Sequence, residues 1–116
     1  MKNKTIILSA FVLLAASIPA GAHAMLDHAD PRVGNTVKSS PSAVTLWFTQ
    51  KLEPAFSSAQ VTNASGAVVS TGASVSGTVM RVGVRSLPPG TYRVHWKVLS
   101  VDTHTTEGKF TFRVGQ

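Results

Sequence analysis

The chain has 116 residues, 43% of them hydrophobic, with nine Gly, six Pro and no Cys. The absence of cysteine excludes both a disulfide framework and a thiolate metal site, so a small fold has to be held by packing. Eleven Lys and Arg face five Asp and Glu, a formal charge of +6. The cations are scattered singly, as at Lys38, Lys51, Arg81, Arg93 and Arg113, a pattern of solvated strand faces that argues against a nucleic-acid or membrane patch.

At the start of the chain, Lys2 and Lys4 precede an apolar run from Ile6 to Ile18, which ends in the small residues Pro19-Ala20-Gly21-Ala22. That order is the pattern of a secretory signal peptide. The run is short of the roughly 20 residues a bilayer crossing needs, and no second such run follows. Cleavage after Ala22 divides the chain into a signal at 1–22 and one domain at 23–116, exported, soluble and without membrane insertion. The charge then falls to +4, because Lys2 and Lys4 leave with the signal. A competing pattern, Ala22-His23-Ala24, would leave Met25 first.

Beyond the signal, apolar residues recur with period two, the mark of half-buried strands rather than helices. Val44, Leu46 and Phe48 alternate with Thr45, Trp47 and Thr49. The Ala/Ser/Thr/Gly-rich stretch from Ala64 to Thr78 reads as a hairpin with loose loops. Met80, Val82 and Val84 alternate with Arg81 and Gly83. Tyr92, Val94, Trp96 and Val98 then alternate with Arg93, His95 and Lys97, and Phe110, Phe112 and Val114 with Lys109, Thr111 and Arg113. Breakers such as Asp30-Pro31, Ser40-Pro41, Glu53-Pro54, Asn63-Ala64-Ser65-Gly66 and Pro88-Pro89-Gly90 separate these runs. About seven short strands spaced this way predict an all-β, Greek-key or immunoglobulin-like β-sandwich with no helix of useful length.

Four histidines carry the candidate chemistry. His95 lies in a strand between Arg93 and Lys97 and reads as an exposed or hydrogen-bonded strand residue. Asp102-Thr103-His104 connects the last two strands. If extended, it turns both side chains to one side and offers an oxygen and a nitrogen to a metal. His23, if cleavage follows Ala22, offers an α-amine and an imidazole Nδ1 in one chelate ring. An N/O set of this kind suits tetragonal Cu(II), and zinc would accept the same ligands; the chelating amine and the affinity order among divalent metals favour copper. His28 lies five residues after His23, and unbroken alternation turns it to the opposite face, against ligation. Met25 shares the phase of His23; core packing is its expected role and a weak axial thioether the alternative. Trp96 and Tyr92 are expected in the core, and Trp47, of opposite phase to its neighbours, partly exposed.

Several segments are similar to the CopC family of periplasmic copper-binding proteins: His23-Ala24, Asp30-Pro31, Val44-Thr45-Leu46-Trp47-Phe48, Leu52-Glu53-Pro54-Ala55-Phe56-Ser57, Pro89-Gly90-Thr91-Tyr92-Arg93-Val94, and Ser100 through Gly108. The resemblance runs from His23 to Val114. It implies a seven-stranded cupredoxin-like or immunoglobulin-like barrel holding one Cu(II) ion through His23, Asp102 and His104. It further implies a monomer in copper homeostasis or resistance, not an enzyme, with an inner-membrane copper transporter of the CopD type as a candidate partner. Two departures stand out. Some relatives bind Cu(I) on a methionine-rich loop, but residues 61–79 here contain no Met, and Gln50 stands near where relatives often carry a glutamate. The competing functions are an oxidase built on the same copper site and a metal-free interaction module.

Overall fold

The computed structural model describes residues 24–115; the expected signal sequence, the expected cleavage point and His23 lie outside the described residues. Eight strands are present: β1 (Leu26–Asp30), β2 (Thr36–Val37), β3 (Ala43–Phe48), β4 (Ser58–Thr62), β5 (Ser70–Ser76), β6 (Val79–Val84), β7 (Gly90–Leu99) and β8 (Thr105–Val114). The only helical element among the described residues is a 3-10 turn at Pro54–Phe56. The strands form two four-stranded sheets, ordered β1-β3-β6-β5 and β2-β8-β7-β4. The all-β sandwich expected from the sequence is therefore observed. The strand beyond the expected seven is β2, whose two residues pair in parallel with Arg113 and Val114 and are too few to show alternation.

Period two does what the sequence implied. Val44, Leu46 and Phe48 of β3 and Met80 and Val82 of β6 point from one sheet into the core. Tyr92, Val94, Trp96 and Val98 of β7 and Phe110, Phe112 and Val114 of β8 meet them from the other. Each such side chain contributes about 1.5–3 kcal/mol by leaving water. Phe48 meets Trp96 edge to face at 5.1 Å. The Tyr92 hydroxyl donates to the Pro88 carbonyl at 2.5 Å, tying the start of β7 to the turn before it, as a tyrosine corner does in such sandwiches.

The Ala64–Thr78 stretch does not form the self-contained hairpin expected of it. Asn63 closes a tight turn, its side-chain oxygen accepting from the backbone N–H groups of Ser65 at 3.0 Å and Ala67 at 2.9 Å. The chain then leaves the sheet of β4, and Ser70–Ser76 joins the opposite sheet by pairing with β6. Composition marked the turns correctly, but the partner of a polar edge strand is chosen by the β6 backbone and not by its own side chains. Gly77, with φ of 63°, supplies the left-handed residue of the two-residue β5–β6 loop.

Gly108 on β8 lies opposite Trp96 on β7. A methyl group there would stand 2.5 Å from Trp96 Cζ2 and 2.8 Å from Cε2, so the indole occupies the space a side chain would need. Gly108→Ala is expected to displace Trp96 and destabilise the fold by about 1–3 kcal/mol, measured as a lower urea midpoint with an unchanged m-value.

Candidate metal centre

The two longest strands, β7 and β8, pair in register from Gly90 opposite Val114 to Leu99 opposite Thr105. Residues 100–104 are the loop that joins them. Ser100, fully buried, organises this loop. Its N–H donates to the His104 carbonyl at 2.9 Å, and its carbonyl accepts from Thr103 N–H at 2.9 Å. The Ser100 hydroxyl donates to Asp102 Oδ1 and accepts from His104 N–H at 3.3 Å. Beneath it, Val101 N–H donates to the Lys51 carbonyl at 3.0 Å and Glu53 N–H to the Leu99 carbonyl at 2.8 Å. The segment following Gln50 is thereby the platform on which the loop rests.

The result brings Asp102 and His104 together, with His104 Nδ1 3.4 Å from Asp102 Oδ1. The expected route to this convergence is corrected. Residues 102–104 are not extended: Thr103 has φ of 73°, and the side chains meet because a tight turn is closed by Ser100. A β-branched residue in the left-handed region costs of order 1–3 kcal/mol and persists where the surroundings over-determine it. Here the four bonds of Ser100 do so. The Asp102 carboxyl is held below its ordinary value of 3.8 first by the Ser100 hydroxyl; burial is the next largest effect and opposes it, and hydrogen bonding and charge from His104 add to the lowering. The carboxylate is thus ready as an anionic oxygen donor at neutral pH.

The other end of the described chain reaches the same place. Ala24 is fully buried, and its carbonyl accepts from Thr106 Oγ1 at 2.6 Å. Met25 N–H donates to Thr49 Oγ1 at 3.0 Å. The residue directly after His23 is therefore fastened to β8 two positions beyond His104. Sequence reasoning gave no role to Ser100 or Thr106. The available signal for Ser100 was a hydroxyl two residues before an aspartate, a spacing at which local side-chain bonds form. For Thr106 there was none, since its partner lies 82 residues away.

The remaining histidines sit elsewhere. His95 Nε2 is 2.7 Å from Glu107 Oε2 on the outer face of β7 and β8, the strand-surface role expected of it. His28 stacks on Trp47 with ring centroids 4.3 Å apart and an interplanar angle of 8°, and its Nδ1 lies 2.7 Å from Asp27 Oδ2. The unbroken alternation used to orient it does not exist. Leu26 pairs with Phe48 but His28 with Trp47, so Asp27 is an extra residue in the strand and the phase shifts there. Met25 is 55% exposed, which corrects its expected place in the core. Among the described residues no three His, Cys, Asp or Glu side chains converge. Asp102 and His104 are a pair that places a carboxylate oxygen and an imidazole nitrogen side by side.

Residues 26–115 match the CopC domain. The chain belongs to the CopC family. It is 37% identical over 98 residues to protein YobA of Escherichia coli K12, covering 80% of this chain and 79% of that protein. It is 34% identical over 116 residues to copper resistance protein C of Xanthomonas campestris pv. juglandis, covering 89% and 91%. The crystal structure of CopC from Methylosinus trichosporium OB3b superposes with a TM-score of 0.77 at 34% identity, covering 80% of this chain and 94% of that one. PcoC, a methionine-rich copper resistance protein from Escherichia coli, superposes with a TM-score of 0.72 at 32% identity, covering 80% and 99%. As a CopC-family chain, this one departs from the methionine-rich description: residues 61–79, spanning the β4–β5 connection, β5 and the β5–β6 turn, contain no Met.

Ser100→Ala is expected to raise the Asp102 titration midpoint towards the ordinary aspartate value, because the bond it removes favours the ionised form. The sign for stability follows: the wild-type carboxylate contributes above that ordinary value, and its contribution is lost as pH falls through the lowered one. Carboxyl chemical shifts followed by NMR against pH would read both midpoints. An unmoved Asp102 midpoint in the variant would assign the effect to His104 instead.

Proposed function

We propose that this CopC-family protein is a periplasmic Cu(II)-binding protein that buffers copper or carries it to a membrane transporter or oxidase. Its site is the α-amine and imidazole of His23, exposed by signal cleavage after Ala22, together with Asp102 and His104. The observation that carries this reading is the hydrogen bond from Thr106 to the Ala24 carbonyl, which ties the residue after His23 to the strand that begins directly after His104. Relatives named copper resistance protein C support the cargo, and a protein named copper transport protein CutJ supports a role in transport.

The division of labour among the residues follows from their chemistry. Asp102, already ionised, supplies charge; His104 supplies a neutral nitrogen; the amine and imidazole of His23 supply a chelate ring. Copper is cargo here, held by coordination without turnover, and a monomer suffices because every proposed ligand comes from one chain. A transporter of the CopD type is the proposed recipient. Without methionines in residues 61–79, the protein has no soft thioether set there for Cu(I), so the proposed load is one Cu(II) ion.

Three outcomes are expected. Cu(II) titration of protein beginning at His23 gives a one-to-one complex with a tetragonal electron paramagnetic resonance signal, and one extra N-terminal residue weakens binding by orders of magnitude; equal affinity of the two forms would place the ligands elsewhere. Affinity falls as pH drops, because the amine and imidazole nitrogens coordinate only when deprotonated and protons then compete with the metal. Thr106→Val, which keeps the shape of the side chain and removes its hydroxyl, weakens Cu(II) binding several-fold at a cost in stability of about 0.5–1.5 kcal/mol. Isothermal titration with a competing chelator and thermal melting measure the two effects separately.

A further inference from the structure

Cations that are scattered along the sequence are gathered by the fold. Arg93 and Lys97 on β7 and Lys109 and Arg113 on β8 all project from the outer face of the β2-β8-β7-β4 sheet, and all four are exposed. Alternation puts every second residue of each strand on that face, and antiparallel pairing lays the two sets side by side. Arg93 stands opposite Thr111, with Lys109 and Arg113 on either side of it, while Lys97 stands opposite Glu107. Diagonal neighbours of this kind lie roughly 7–8 Å apart. Each same-strand pair spans about 13 Å at the usual rise.

Little on that face offsets the charge. Glu107 is its one carboxylate among the described residues, and its Oε2 is taken up by His95 at 2.7 Å. None of the four cations has a carboxylate oxygen within 4 Å among the described residues. The outer face of the opposite sheet is balanced, with Arg81 on β6 and Arg32, which shares a hollow with Asp27, against Asp27 and Asp30 on β1. The excess of three positive charges therefore belongs to one sheet face.

We propose that the outer face of the β2-β8-β7-β4 sheet is a peripheral docking surface for anionic lipid headgroups. Its chemistry favours lipid over an acidic protein. The other outward positions of β4, β7 and β8 include Ser58, Gln60, Thr62, Thr91, Thr105 and Thr111; of the exposed large hydrophobic residues, Val68 lines a hollow with Gln60, His95 and Lys97, and Met25, Val33, Phe56 and Val101 lie outside the four strands. With Val68 the one large exposed apolar side chain at its β4 edge, this face offers little aliphatic or aromatic surface for the core of a protein contact, whereas an anionic membrane needs only cations presented together. Adsorption would also relieve the repulsion among the four cations. It would lay β7 and β8 along the membrane with the 100–104 loop at the rim of the contact. The inference rests on charge and register and is independent of copper binding.

Co-sedimentation of the protein with vesicles tests it. Vesicles containing phosphatidylglycerol should bind at low salt about a hundredfold better than phosphatidylcholine alone, at roughly fivefold per net cation, and high salt should abolish the difference. The double reversal Arg93→Glu with Lys109→Glu should remove the preference. A control with the same change in net charge, Arg32→Glu with Arg81→Glu, should keep most of it. Thermal melting confirms that both variants remain folded, since all four positions are exposed. The proposal is overturned if the two variants lose binding equally, if lipid charge makes no difference, or if the protein binds soluble polyglutamate through this face while ignoring the vesicles.

Discussion

Ten consecutive residues of β7 paired with ten of β8 are the constraint from which the rest of the molecule follows. The inward side chains of this pair supply much of one wall of the core, from Tyr92 to Val98 and from Phe110 to Val114. Its outward side chains carry the basic face, and its connecting loop carries Asp102 and His104. Because side chains alternate strictly in a strand, one register decides all three. A slip by one residue would turn Trp96 and Phe110 to water and the cations into the core, so the hydrophobic pattern protects the placement of the polar groups as well as the packing.

At the end of that hairpin, a fully buried hydroxyl does what a longer loop would need several side chains to do. Ser100 satisfies its own backbone groups within the loop and reaches Asp102 with its side chain. The loop can therefore be short and still hold Thr103 in a left-handed conformation. This arrangement prepares a carboxylate and an imidazole before any ligand arrives. Preorganisation of that kind lowers the ordering cost of binding, which suits a protein proposed to take up and release an ion without consuming it.

The N-terminal segment is built to opposite ends. Ala24 is buried and clamped through Thr106, while Met25 is exposed and the bulge at Asp27 turns His28 onto Trp47. His28 is engaged with Asp27 and Trp47 on the sheet surface, and the start of the domain is directed to β8. Membership of the CopC family agrees with this economy: two residues of the candidate site come from one loop, and the rest of the proposed set comes from the chain start.

Alternation in β3, β6, β7 and β8 was legible in the sequence because burial on one face imposes period two on the residues themselves. The sandwich, the inward aromatic residues and the strand-surface role of His95 all followed from it, and the Asp-x-His segment together with the histidine at the proposed cleavage point marked the candidate site. What the sequence could not carry was anything that depends on which strand lies beside which. The polar strand β5 has no pattern that names its sheet, the bulge at Asp27 is set by pairing with β3, and the bond between Thr106 and Ala24 joins residues 82 apart. Gathering four scattered cations onto one face is of the same kind. Local chemistry is written residue by residue, whereas neighbours across a sheet are chosen by backbone pairing and by closure of the core, and only the folded chain holds that information.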